Sequence, residues 1–380
     1  MPAASGQPLR YGYSTGACAA AAISAAWQAL EDGLTRTASA LSYPLLFPDG
    51  LRRTLPLASW QPGIASIVKD GGDDPDCTHG ALIRATVRPA APHEAEPHDY
   101  LLSIGSGSLI LRASGGIGLC TLPGLDCEQN RWAINAGPRR MIADNLRAAG
   151  YSCGCILAEL SIERGEELAA KTLNSRLGIV GGLSVLGTTG VVRPFSHEAY
   201  IATIRICTRS AALRGADTVV YCTGGRTQTA AQARLPHLPP ENFTCIGDFI
   251  ADSLAAAEQS GIRTAVVACM PGKLCKYAAG YANTHAHRKE QDMQLFLATL
   301  RRHHRTTAEQ ERAILSCASV RQALACVSLQ DRLPLLADFC EQASACFALH
   351  APALRTRLLV FDFDGTFLLE HPAPAEPCHP

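Results

Sequence analysis

A chain of 380 residues, 47% hydrophobic and 18% charged, is longer than one core ordinarily supports and apolar enough to fill two. Its 34 Lys and Arg balance 34 Asp and Glu, and the resulting zero net charge argues against general nucleic-acid binding while saying little about a small polyanionic ligand. No run of about eighteen uncharged apolar residues occurs, and no basic region precedes a signal-type apolar core, so neither membrane insertion nor secretion is expected and the chain is read as cytoplasmic. The 16 cysteines are scattered without a C-x-x-C, and Cys153 and Cys155 stand too close for ordinary zinc-finger spacing. Most read as small buried hydrophobes kept reduced.

The first predicted element lies in YGYSTGACAAAAISAAWQAL. Ser14 or Thr15 is a natural N-cap, and Ala17 to Leu30 are strong helix formers. Gly16 would let a ligand approach the first turn, where free amides make an anion site. A capped, Ala-rich packing helix is the alternative. Next, a short strand from Ile64 to Val68 leads into VKDGGDDPDCTHG, which crowds Asp70, Asp73, Asp74 and Asp76 around Gly71, Gly72 and Pro75. Such carboxylates repel one another unless something neutralises them. A calcium loop would close on a Glu where position 81 is Ala81, so no metal is assigned. Hydrogen bonds to ribose or amino groups of a cofactor, or Asx-turns on local amides, fit the spacing.

Strands are expected at Leu101 to Ile104, Leu109 to Arg112 and Cys155 to Ser161, and a second helix from Pro138 to Ala149. The connection PAAPHEAEPHD reads as too polar and proline-rich to pack. From Lys171 to Ser196 the chain reads KTLNSRLGIVGGLSVLGTTGVVRPFS, with Gly178, Gly181, Gly182, Gly187 and Gly190. Interior glycines weaken a strand, so this density points to backbone that turns sharply or lies against something. Thr188 and Thr189 add hydroxyls among exposed amides, as an anion or a polar cofactor edge requires. A tight turn between two strands is the alternative.

Pro194 ends the glycine-rich run, and SHEAYIATIRICTRSAAL begins a helix. The expected organisation is a domain over residues 1–195, a second over 196–370 and a disordered tail over 371–380. Short strands interleaved with helices make the first α+β. In the second, TVVYCTGGRTQ sets a strand before Thr223-Gly224-Gly225, and RTAVVACMPGKLCKYAAG sets another before Pro271-Gly272-Lys273. Strand and helix alternate there, which predicts an α/β domain with a parallel sheet whose ligands sit at the carboxyl ends of the strands. Residues 292–349 would cover that sheet. Gly272-Lys273 is no P-loop, because Val267 and Leu274 stand at defining positions. LLVFDFDGTFLL has the look of a phosphatase nucleophile motif in Asp362 and Asp364, but too little chain follows it, and it reads as a last strand ending in a turn.

Several of these segments together resemble one family, the cobalt-precorrin-5B C1-methyltransferases of the CbiD type. The resemblance is carried by GYSTGACAAAA, KDGGDDPD, the stretch from Ala133 to Ile142, KTLNSRLGIVGGLSVLGTTGVVRP, and PGKLCKYAAGYANTH from Pro271 to His285. Leu122 and Cys269-Met270-Pro271 depart from the family's pattern. The resemblance implies methylation of cobalt-precorrin-5B to cobalt-precorrin-6A by S-adenosylmethionine, with cobalt present only as part of the substrate. It also implies an α+β domain followed by a smaller α/β domain with a parallel sheet of about four strands.

Thr15, Gly16, Asp70, Asp74, Thr188, Thr189, Gly224 and Gly225 are then expected at the methyl donor. The many carboxylates of a corrinoid ask for cations in one cleft. Arg139, Arg140, Arg193, Lys273 and Asn283 are expected there, with Arg226 and Lys276 as further basic candidates. Asp73 or His285 would collect a proton. A homo-oligomer and transient contacts with other cobalamin-pathway enzymes are compatible with this reading. A corrinoid-binding or scaffold protein without turnover is the alternative.

Overall fold

The computed structural model describes residues 9–33, 41–285, 291–302 and 305–372. It is a mixed α/β structure in two compact units, Met1–Ser196 and His197–Pro380.

The first unit runs β1 (Gly12–Tyr13), α1 (Thr15–Asp32), β2 (Ser42–Leu46), β3 (Arg52–Pro56), β4 (Ser59–Gln61), β5 (Ile64–Val68), β6 (Leu82–Pro89) and β7 (Tyr100–Ile104). It continues with β8 (Gly107–Gly115), β9 (Leu119–Cys120), α2 (Ala136–Ala148), β10 (Cys155–Ile162), α3 (Gly165–Ala169), β11 (Ile179–Val180) and β12 (Val191–Val192). A six-stranded sheet takes the order β4-β5-β6-β10-β8-β7, in which only the β10–β8 pair is parallel. In β6, Ile83, Ala85 and Val87 point into the core and Arg84 and Arg88 do not, the alternation of a sheet packed on one face. The covering element is α1, which packs on β5, β6 and α2. Ser14 caps it by accepting from the Ala17 amide at 3.1 Å, and Gly33 ends it in the left-handed conformation.

One alternative reading is ruled out in this unit, and one expectation is qualified. The glycine-rich segment is not a hairpin on itself, since β11 pairs with β9, β12 pairs with β1, and bridges at Leu183 and Val185 reach Ile117 and Ile134. Gly182 lies against the Gly116 backbone, whereas Gly178, Gly187 and Gly190 make room for the side chains of Leu122, Ser14 and Phe47. The proline-rich connection is exposed or half-buried over residues 89–98, as expected, but its last residue, Asp99, is buried. That carboxylate accepts from Arg112 Nη2 at 2.8 Å, the Glu96 amide at 2.8 Å and Trp132 Nε1 at 3.2 Å. The polar sequence had hidden one satisfied ion pair.

The second unit comprises α4 (His197–Leu213), β13 (Thr218–Cys222), α5 (Gly225–Arg234), β14 (Phe243–Cys245), α6 (Ile250–Gln259), β15 (Thr264–Cys269) and α7 (Pro271–Ala278). Then follow α8 (Met293–Leu300), α9 (Ala308–Leu315), α10 (Val320–Ala325), α11 (Leu329–His350), β16 (Arg355–Phe361) and β17 (Phe367–His371). The sheet order is β14-β13-β15-β16-β17, with four parallel strands and β17 antiparallel at the edge. Val220, Cys222, Val266, Ala268 and Leu359 face α5, while Val219, Tyr221, Ala265, Val267 and Leu358 face the core shared with the other helices. Burial on both faces explains why these strands read as unbroken apolar runs.

The motif at residues 358–369 is more than a terminal strand. Gly365 takes a φ of 96° in a turn closed by the Asp362 amide on the Thr366 carbonyl at 2.8 Å, and the chain returns as β17. Asp362 and Asp364 accept from the Phe363 and Thr366 amides at 2.7 and 2.8 Å, so both carboxylates serve the turn. The expected disordered tail began at 371, whereas His371 ends β17; residues 373–380 lie outside the described residues.

Candidate functional site

Two hollows flank the glycine-rich loop of the first unit. One hollow of about 450 Å³ lies between the turn at Leu46–Pro48, the amino end of α2 and Gly187–Thr188. A second, of about 520 Å³, is lined by Tyr11, Tyr13, Asp49, Arg53, Thr189 and Arg193. Pro48 and Thr188 line both, so the two form one cleft with Thr188 at the junction.

The loop is held in place from behind. Thr15 Oγ1 accepts from the Leu186 amide at 2.9 Å and faces the carbonyls of Leu186 and Ser184 at 3.2 and 3.3 Å, and the Gly16 amide donates to Leu186 at 2.9 Å. Gly187 has a φ of 126°, and a Cβ there would stand 2.2 Å from Ser14 Oγ. A Cβ on Gly16 would meet Pro138 at 2.6 Å. Thr15 and Gly16, expected at the donor, are thus occupied in seating the loop and α2 against α1.

At the amino end of α2, Asn135 makes no side-chain bond to the helix, so the amides of Ala136 and Gly137 have no intrahelical partner. Arg140, exposed on the first turn, lines the hollow and makes no ion pair or hydrogen bond among the described residues. Arg139 turns elsewhere. It pairs with Glu128 at 2.8 Å and lies 4.0 Å over the Tyr100 ring, outside the lining of the cleft. In the other hollow Arg53 grips Asp49 through two bonds of 3.0 and 2.6 Å over the Phe47 ring. That grip and the Leu51 amide pull the Asp49 carboxyl down to about 2. Arg193 contacts the Tyr11 ring at 6.0 Å and has no carboxylate partner among the described residues.

The acidic loop is the connection between β5 and β6, and its charges are answered by the chain itself. Asp70 pairs with Arg10 and accepts from the Gly72 amide at 2.9 Å. Asp73 accepts from the Arg10 amide at 2.6 Å, and Asp74 from the Phe195 amide at 3.3 Å. Asp76 holds the buried ammonium of Lys69 at 2.5 Å. The expected cofactor contacts at Asp70 and Asp74 and a proton-accepting role for Asp73 thus compete with bonds already made, and none of the three lines the cleft.

In the second unit the strand order reverses between β13 and β15, where an open parallel sheet presents its crevice. The groups expected there are engaged. Gly224 donates its amide to Thr227 Oγ1 at 3.0 Å, and a Cβ at Gly224 or Gly225 would meet nothing within 4 Å, so no close approach demands glycine at either position. Arg226 donates to the Phe363 carbonyl at 2.7 Å. Lys273 is clasped by Asp248 and by Thr284 Oγ1, Lys276 donates to the Thr284 carbonyl at 3.1 Å, and Asn283 Oδ1 accepts from the His285 amide at 3.0 Å. The His285 ring lies 6.0 Å from that of His197. Lys273 is therefore a neutralised clasp and not the free substrate anchor expected of it.

Of the expected residues, Arg140, Thr188, Thr189 and Arg193 come together. Tyr11, Phe47, Arg53, Asp126 and Asp144 also line the cleft and carried no signal in the sequence, because turns far apart in the chain deliver them.

A mixed α/β protein with a cation-bearing cleft built on a glycine-rich loop is the class these features define. The family model described as CbiD matches residues 3–194, and the chain belongs to that family. A protein of Salinispora arenicola named cobalt-precorrin-5B C(1)-methyltransferase is 41% identical over 299 residues, 76% of this chain and 72% of that one. A protein of the same name from a Geobacillus species is 40% identical over 286 residues, 73% of each. A crystal structure of the cobalamin biosynthesis protein cbiD from Archaeoglobus fulgidus is 24% identical, with a TM-score of 0.37 over 71% of this chain and 80% of that one.

Proposed function

We propose that this chain methylates C1 of cobalt-precorrin-5B with S-adenosylmethionine, giving cobalt-precorrin-6A in anaerobic cobalamin biosynthesis. The observation that carries the reading is the 41% identity to a protein of that name across 72% of its length. Those relatives are named as methyltransferases, which does not favour a binding protein without turnover.

The cleft suits both reactants. It offers Arg140 and Arg193 without carboxylate partners, amides at the start of α2, and apolar walls at Phe47 and Met141. When bound, the donor supplies a methyl group whose bonding pair stays on sulfur, while the macrocycle carbon provides the pair for the new bond. Such chemistry needs no nucleophilic side chain; the protein's part is to align the groups and exclude water. Thr188 and Pro48 stand where the hollows meet and are placed to set that alignment. No helix among the described residues is long and apolar enough to cross a membrane, and we assign the enzyme to the cytoplasm.

Anaerobic incubation with cobalt-precorrin-5B and a methyl-labelled donor tests the assignment. One labelled methyl group should appear in the corrinoid by mass. Stoichiometric corrinoid binding with no transfer would overturn it.

A further inference from the structure

We infer that the cleft divides the two reactants, with the methyl donor in the hollow beside α2 and the acidic rim of the corrinoid in the hollow of Tyr11, Arg53 and Arg193. This division rests on the methyl-transfer reading.

The two hollows differ in charge, the one beside α2 mixed and the other positive. Beside α2, Arg140 and the amides of Ala136 and Gly137 face the same space as Asp126 and Asp144, with Phe47 and Met141 as apolar wall. A donor with a carboxylate, an ammonium, a ribose diol and a flat base needs both signs of charge and an apolar face within a small volume. About 450 Å³ falls in the usual range for such a ligand. A polycarboxylate would meet the Asp126 carboxylate there, the charge of Asp144 being paired with Arg147 at 2.9 Å.

The other hollow has a positive bias. Its one acid, Asp49, is already bonded twice by Arg53, which leaves Arg193 as uncompensated positive charge beside the Tyr11 ring. At about 520 Å³ it is too small for a whole corrinoid and takes one carboxylate-bearing edge, with the exposed ring of Tyr11 against the macrocycle. Thr188 lines both hollows, and its hydroxyl makes no hydrogen bond among the described residues. It stands where the two ligands meet. Among the described residues of the second unit, Gly224, Arg226, Lys273 and Lys276 already bond to Thr227, the Phe363 carbonyl and Thr284.

Calorimetry with S-adenosylhomocysteine and, separately, with cobyrinic acid as a polycarboxylate corrinoid tests the division without turnover. Arg140→Glu and Asp126→Lys should each weaken S-adenosylhomocysteine at least tenfold, while Arg193→Glu leaves that affinity within twofold. Cobyrinic acid should show the reverse order, weakened most by Arg193→Glu. Circular dichroism melting curves confirm that each variant is folded, and the two independent substitutions beside α2 guard against loss of either one. Folded Arg140→Glu and Asp126→Lys proteins that bind S-adenosylhomocysteine as the unmodified chain does would overturn the division alone. An unmodified chain that binds cobyrinic acid but not S-adenosylhomocysteine would remove the methyl-transfer reading, and the division with it.

Discussion

Lys69 is 1% exposed, and its ammonium is neutralised by Asp76, which also accepts from the Thr78 amide at 2.8 Å. Burial pushes the Asp76 carboxyl up, but the bonds from Lys69 and Thr78 outweigh it and hold it below the usual range. A carboxylate lowered in this way lends stability that is fully present above its unfolded pKa, about 3.9, and is lost as pH falls through its folded value. Asp76→Asn strands a buried cation and should cost about 3–5 kcal/mol at neutral pH. In strong acid, where both proteins carry an uncharged partner, the gap should close. Urea unfolding at the two pH values reads both effects, and equal midpoints at neutral pH would show that Lys69 does not depend on Asp76. The acidic loop is a hairpin connection whose carboxylates are answered by Lys69, by Arg10 and by the amides of Arg10 and Phe195.

At the level of elements, the carboxyl edge of the parallel sheet is tied to residues 282–285 through Lys273, Asp248 and Thr284. Burial raises the Asp248 carboxyl, yet the bonds from Lys273 and Thr284 bring it below the ordinary value. Its contribution is therefore present above the unfolded carboxylate pKa and fades as pH drops through the folded one. Lys273→Ala should lower stability by about 1–3 kcal/mol while leaving the Michaelis constant for the corrinoid unchanged. A several-fold rise in that constant without a change in melting temperature would restore the anchoring role instead. The same edge shows what could be read in advance. The strands at Thr218–Cys222 and Thr264–Cys269, and the helix starting at Thr15, follow from apolar runs, capping and Ala content. Ligand roles for glycine did not follow. A glycine can mark a close approach, as at Gly12, where a Cβ would come within 2.1 Å of the Gly71 carbonyl carbon, or none, as at Gly224 and Gly225. Arg53 and Tyr11 could not be found because they meet Thr189 and Arg193 only after folding.

Each unit of the molecule contains its own core. One is built from α1 and the six-stranded sheet, including Ala20, Ile83 and Leu111, and the other from the parallel sheet and its helices, including Tyr221, Val267 and Phe339. We propose that they unfold separately. Leu111→Ala, at a site of 0% exposure, should cost about 2–5 kcal/mol and lower one of two calorimetric transitions while leaving the other in place. A single transition that moves as a whole would show one cooperative molecule.

Ala19, Ala20, Ala21 and Ala22 are each 0% exposed, and four consecutive residues sweep the full circumference of a helix, so α1 is enclosed on every side. It presents methyl groups where other helices present ridges, with sheet strands on one flank and α2 on another. Its thickness is nearly that of bare backbone. α1 therefore acts as a shim between the sheet and α2, whose gauge sets how closely those two layers approach. That spacing is set by residues too small and too deeply enclosed to reach the surface.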